Sequence, residues 1–325
     1  MMPGRTCATR AVLAVTAAGA MAGTLASLAH LAWWLELFSH FRLQYALLLA
    51  ACGVGLAVLR RPAIGLAALA LSAVNALPLM HYFAPAPRPA GHGPQLTAIV
   101  ANVWLRNDDY GAVLGYVAGL GPDVAIFLEV TPAWGAALAG LRDALPYQAH
   151  AGEVFVAARR PLSGLRILPL GDRDSIAVVF TYETGGTPVT VIGAHASWPL
   201  GAGIAASRNR ELADLAAIAR AAPGPVLLLG DLNVTAFSPA FDALRAASGL
   251  RDCAMGEGLH PSWPAWFPPL WIQIDHCLAG PGLAVTGLAT GPYVGSDHFP
   301  LEVTVRVGAA GAGVIASQAR PTSRR

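Results

Sequence analysis

The stretch "PVLLLGDLNVTAFSP", residues 225–239, decides how this chain is read. An apolar run of strand length ends abruptly in Gly230-Asp231-Leu232-Asn233. Taken alone this is a turn, because Gly, Asp and Asn are the residues that tight turns favour. Whether the turn also carries chemistry depends on how the other apolar runs end.

Similar runs recur from Leu96 onward: "LTAIVANVW", "DVAIFLEV", "VFVAA", "SIAVVFTY", "VTVIGAHA", "IQIDHCLA" and "PLEVTVRV". Each is rich in Val, Ile or aromatic residues and reads as a strand. "ASRNRELADLAAIARAA" has helical spacing and is followed by Pro223. "DYGAVLGYVAGL" and "PAWGAALAGLRDAL" also read as helices. Adjacent strands with helices at intervals predict an α+β domain with packed sheets.

Polar residues end these runs. Asn102 closes the first, Glu129 the second, His195 a third, and Asp231 with Asn233 a fourth. Asp275 and His276 interrupt another, and Asp297 and His298 precede the last. Singly, each has an ordinary structural explanation, such as a buried amide, a helix-start acid or a satisfied histidine. Brought to one edge, they would form a carboxylate and imidazole site. Carboxylate oxygens suit Mg²⁺ or Mn²⁺, and no Cys–His cluster has zinc spacing. A divalent ion on phosphate oxygens, an imidazole–carboxylate pair and an Asn amide together describe phosphate-ester hydrolysis.

Charge agrees with a cation site. All 21 basic residues are Arg. Between Gln95 and Val307 there are 18 acidic residues against 12 Arg, so no basic nucleic-acid footprint is present. Four Cys are too few for a disulfide framework. Cys253 and Cys277 either pair in an oxidising compartment or are two small core residues.

The first ninety residues differ in kind. Residues 11–35, 43–59 and 62–83 carry no charge, and each approaches or exceeds the length that spans a bilayer. They predict about three transmembrane helices over residues 1–83, with a two-helix hairpin as the alternative. Arg5 and Arg10 precede the first, and Arg60 and Arg61 separate the second from the third. The positive-inside rule places both in the cytoplasm. The chain after Arg88 is then extracytoplasmic, periplasmic on an inner membrane. Residues 84–95 form a Pro-rich linker, 96–307 the catalytic domain, and 308–325 a disordered tail.

"ANVW", "PDVAIFLEV", "GAHASWP", "LLLGDLN", "IDHCL" and "GSDHFPLEV", in that order, resemble the endonuclease/exonuclease/phosphatase (DNase I-like) superfamily. The resemblance covers about residues 96–307 and implies a four-layer αββα sandwich with the site at one edge. It implies one or two Mg²⁺ or Mn²⁺ ions held by Glu129 and Asp297, with Asn102 in support. Asp231 would orient or activate the attacking water, and Asn233 would bind the scissile phosphate. His298 would be the essential histidine, oriented by Asp275, and His195 would contact phosphate or donate a proton. Two positions depart from the family pattern: Leu128 stands where Gln usually precedes the acid, and Trp104 where an Asp often follows the Asn.

Substrate hints are fewer. "LHPSWPAWFPPLW", residues 259–271, would stack bases, dip into lipid headgroups or simply cap the sheet edge. Arg208 and Arg210 open a helix after His195, where they would reach a phosphate or face solvent. Three functions stay open: a membrane-anchored nuclease-like phosphodiesterase, the same chemistry on a phospholipid or small phosphate ester, and a catalytically silent membrane module. The acidic balance and the anchor favour a lipid or small ester over nucleic acid. The intact acid and histidine set argues against a silent module. No obligate protein partner is evident.

Overall fold

The computed structural model describes residues 3–84 and 93–308. Most of the expected linker and all but one residue of the expected tail lie outside them.

The N-terminal part is helical: α1 (Pro3–Ser27), α2 (Trp33–Ser39), α3 (Arg42–Val58), α4 (Pro62–Ala76) and a last turn, α5 (Met80–Phe83). Cys7–Ser27 and Pro62–Phe83 are long and apolar enough to cross a membrane. A third span arises only if α2 and α3, bent by 60°, are taken together. The stretch 11–35 expected as the first span is not one continuous helix. Its helix ends at Ser27, and a turn over Leu28–Leu31 hands over to α2. Beyond that turn Glu36 lies on α2 with its carboxylate buried and bonded to Arg208.

The rest folds as β1 (Gln95–Asn102), α6 (Tyr110–Leu120), β2 (Val124–Leu128), α7 (Pro132–Leu138), β3 (Tyr147–Ala151), β4 (Val154–Ala158), β5 (Ser163–Pro169), β6 (Ile176–Thr184) and β7 (Thr187–His195). Then come α8 (Ala202–Ala221), β8 (Val226–Asp231), α9 (Pro239–Ser248), β9 (Arg251–Asp252), β10 (Asp275–Ala279), β11 (Leu283–Thr290) and β12 (Leu301–Val307). The strands make two six-stranded sheets, ordered β11-β12-β1-β2-β4-β3 and β5-β6-β7-β8-β10-β9. Inner faces meet in one core that includes Val100, Ile126, Phe180 and Leu229. Outer faces are covered by α6 and α7 on one sheet and by α8 and α9 on the other. This is the αββα sandwich that the family resemblance implies.

Strand polarity sets where the site lies. Each sheet has one parallel central pair, β1 with β2 and β7 with β8, joined by a helical crossover. All four strands therefore end at the same edge. Their neighbours β12 and β10 run antiparallel and begin there. Asn102, His195 and Asp231 end three of the parallel strands, and Glu129 directly follows the fourth. Asp275 begins β10 and His298 lies just before β12. Side-chain alternation then selects the face. Asp231 follows Leu227 and Leu229 on the inner face, and Asp275 shares that face with Cys277. His276 points the other way.

Candidate active site

Asp231 lies at the centre of the cluster and is fully buried. Its register partners are His195 on β7 and Asp275 on β10. Asn102 donates from Nδ2 to Asp231 Oδ2 at 3.2 Å and to Glu129 Oε1 at 2.9 Å. His195 Nε2 stands 3.6 Å, and His298 Nε2 3.7 Å, from Asp231 Oδ2. His298 Nδ1 is 2.7 Å from Asp275 Oδ2, a carboxylate–imidazole bond. Ser262 Oγ accepts from the backbone N–H of Asp275 and fixes its base.

Two positions break the strand geometry. Glu129 has φ +58° and Asn233 has φ +49°, both left-handed without being glycine. Such residues are uncommon and gather at functional turns. At Glu129 the twist ends the alternation of β2, and its Oε2 accepts from Leu105 N–H. At Asn233 the backbone N–H bonds Asp231 Oδ1, and the side-chain amide reaches Ala196 O and His195 Nε2.

The electrostatics follow from burial and crowding. Burial, then the neighbouring Asp275 charge, pushes Asp231 up to about 6, against the pull of both histidines. Burial disfavours charge on His298, yet Asp275 and Asp231 outweigh it and hold its pKa at about 9. Burial likewise opposes His195, but the Glu153 hydrogen bond and the Asp231 charge raise it to about 10. Asp297 is raised by burial and, after the opposing pull of His298, by the charge of nearby Glu129.

The donors fit a divalent cation. Asp231, Asp275 and His298 each offer an atom within 4.8 Å of the others, but with His298 held as imidazolium only the two carboxylates of that trio are cation donors. Asp275 Oδ1 and Asp297 Oδ1 are buried without a hydrogen-bond partner, which is costly for a carboxylate unless a cation faces it. Oxygen-rich donors of this kind are what hard cations take.

The fold thus gathers Asn102, Glu129, His195, Asp231, Asn233, Asp275 and His298 in one hydrogen-bonded and charge-coupled cluster, with Asp297 beside it. Arg208 does not join them. Its guanidinium is fully buried and bonds Glu36, the Asn233 carbonyl and Asn209. The substrate contact suggested for it is corrected: both of its terminal nitrogens are occupied inside the protein. Arg210 pairs with Asp172 on the surface. His276 donates to Val234 O and packs on Phe241, a structural role. Two contributors were not anticipated: Glu153, 2.8 Å from His195 Nδ1, and Trp263, whose Nε1 reaches Asp297 Oδ2 at 3.3 Å.

A two-sheet sandwich with acids and histidines at one edge defines a class of metal-assisted phosphoesterases. The Endonuclease/Exonuclease/phosphatase family matches residues 99–298, and the chain belongs to it. It is accordingly a phosphoric-ester hydrolase of that family. No curated protein matches the chain. Among solved structures, an endonuclease/exonuclease/phosphatase from Beutenbergia cavernae is 20% identical, covering 67% of this chain and 72% of that one, with a TM-score of 0.56. Humanized D. rerio TDP2 is 17% identical over 65% of this chain and 98% of its own, with a TM-score of 0.55. A Bacteroides thetaiotaomicron family protein is 16% identical over 66% and 96%, with a TM-score of 0.54. At these identities the likeness is one of fold.

Proposed function

We propose that this protein is a membrane-anchored phosphodiesterase that uses Mg²⁺ or Mn²⁺ and works on the extracytoplasmic side. The observation that carries the chemistry is Asp231, which stands between His195 and His298 while Asn102 and Asn233 bond its two oxygens.

Asp231, raised towards neutrality, takes the proton of the attacking water. The His195 imidazolium, and the N–H of Asn233 Nδ2 not bonded to Ala196 O, hold phosphoryl oxygens as charge builds on them. The His298 imidazolium, kept charged by Asp275, stabilises the same charge. Glu129 and Asp297, supported by Asn102, would hold the cation, which supplies charge neutralisation and Lewis acidity when bound.

The membrane side rests on other observations. The apolar helices support an anchor, and Arg60 and Arg61 at the α3–α4 turn support the orientation. Cys253 and Cys277 are joined in a disulfide, which fits an oxidising compartment. A second reading, a phospholipid phosphodiester as substrate, is favoured by Trp198, Leu200, Trp266, Phe267 and Leu270. All five are exposed. They lie beside α8 and Trp271, both of which touch the anchor. Aromatic residues in such places suit a bilayer interface.

The full chain in detergent should cleave bis(p-nitrophenyl) phosphate with Mg²⁺ or Mn²⁺ and stop with EDTA. His298→Ala and Asp231→Ala should each lose nearly all activity, and full activity in either would refute the assignment. A panel of DNA, RNA, phospholipid vesicles and inositol phosphates separates the two substrate readings. Alkaline phosphatase fused after Arg88 should be active; a well-expressed but inactive fusion would put the domain in the cytoplasm.

A further inference from the structure

Glu36 lies outside the part of the chain that matches the family. It is nevertheless bonded into the loop that follows the catalytic strand β8. Both of its oxygens accept from Arg208 Nη2 at 2.7 Å, and Ser238 Oγ donates to Oε1. Arg208 Nη1 in turn donates to the carbonyl of Asn233 at 3.0 Å. Four residues along the anchor, His40 Nδ1 sits 3.0 Å from Thr235 Oγ1. Glu36, His40, Arg208, Thr235 and Ser238 are all buried.

These bonds bracket the segment from Asn233 to Ser238. Asn233 has a left-handed backbone, and two bonds fix its two sides. Asp231 Oδ1 accepts from its N–H, and Arg208 donates to its carbonyl. Loss of the second bond would free the carbonyl of Asn233 and loosen the left-handed turn from which its side-chain amide projects. A guanidinium buried this deeply stays in place only while a carboxylate faces it. Among the described residues, Glu36 is the acid bonded to it. Glu211, the other acid near it, is occupied by Ser197.

We propose that Glu36 and Arg208 are positioning residues for Asn233, so that the anchor's α2 segment forms part of the catalytic scaffold. The proposal rests on the role of Asn233 in holding the phosphoryl group. The phosphoesterase unit of this chain is then residues 33 onward, not the family domain by itself. The chemistry of α2 serves that docking: a short helix with one acid, set between an exit from one apolar helix and the start of another.

The test uses the full chain in detergent and the hydrolysis of bis(p-nitrophenyl) phosphate, with kcat normalised to the folded fraction. Glu36→Gln keeps the shape and removes the charge. Its kcat should fall roughly ten- to hundredfold with KM little changed, because the misplaced amide matters most in the transition state. Loss of thermal stability with wild-type kcat per folded molecule would overturn the proposal. If Glu36→Gln does not fold, Glu36→Gln combined with Arg208→Met replaces the pair by neutral groups of similar size, a change that buried ion pairs often tolerate. That variant should fold and still show the low kcat, and wild-type kcat in it would equally overturn the idea. An inactive wild type would refute the phosphoesterase reading and leave the positioning to a second measurement. Amide exchange over residues 233–240 should rise in Glu36→Gln while β1 stays protected. Unchanged exchange there would show that α2 does not hold the loop.

Discussion

Breaking the Cys253–Cys277 disulfide tests both the stability of the sandwich and the compartment assigned to it. The two residues are 24 positions apart and their Cα atoms 5.4 Å apart. Closing a loop of that length in the unfolded chain is worth about 3.5 kcal/mol in the chain-entropy model. For a domain of this size each kcal/mol moves Tm by about 2–4 °C, so reduction should lower Tm by roughly 7–14 °C. The assay compares oxidised protein with protein unfolded in reductant and refolded in it, both as full chains in the same detergent. Reduced wild type keeps both buried sulfurs, so no cavity confuses the comparison. Activity at 25 °C should persist, because the β8 register and Ser262 hold Asp275 independently of the bridge. Thiol counting under denaturing conditions should find two free cysteines, Cys7 and Cys52. Four free thiols in protein taken from the cell, or equal Tm in both forms, would refute the reasoning.

Other outcomes follow from the site. In EDTA, Asp231 keeps its proton up to about pH 6, against 3.8 unfolded, so the stability it contributes is full below pH 3.8 and lost as pH rises through 6. Asp231→Asn cannot ionise and should stabilise the metal-free protein at pH 7.5 relative to wild type, an advantage that vanishes by pH 3.5. A pH-independent difference in thermal melts would contradict this. Glu129→Gln should weaken Mn²⁺ binding by roughly tenfold or more in calorimetry, as loss of one charged ligand does. Glu153→Gln should lower the His195 pKa and draw down activity at alkaline pH, read from the pH–rate profile.

The strand-end residues were legible because strand ends are marked twice, by an apolar run and by the polar residue that stops it. Asp231 and Asp275 are separate in the chain, and only antiparallel pairing of β8 with β10 makes them neighbours. β3, β5, β9 and β11 carry no strand signal in the sequence. β3 and β5 are partly or largely exposed and carry too few apolar residues for the pattern to show. β9 is two residues long, and β11 carries a bulge after Val285. The sequence leaves Arg208 either reaching a phosphate or facing solvent, although a signal for burial is present. Ala205, Arg208, Leu212, Leu215 and Ala219 fall on one helical stripe, and all are buried. An arginine on such a stripe calls for an acid, and Glu36 is the sole one outside the domain. The first residues of α2 merge with the preceding apolar run because the charge-free stretch stops only at Glu36.

The polarity of the sheets separates two kinds of traffic. Gln95, where the chain enters the sandwich, pairs with Arg306, one residue before β12 ends, and both lie at the edge away from the chemistry. A reporter or an additional domain fused after Val307 would hang from that edge and leave the substrate entrance open. An insertion of equal size between Trp198 and Gly201 would fall beside the entrance and close it. The two sites give an engineer of this chain a harmless attachment point and a deliberate plug.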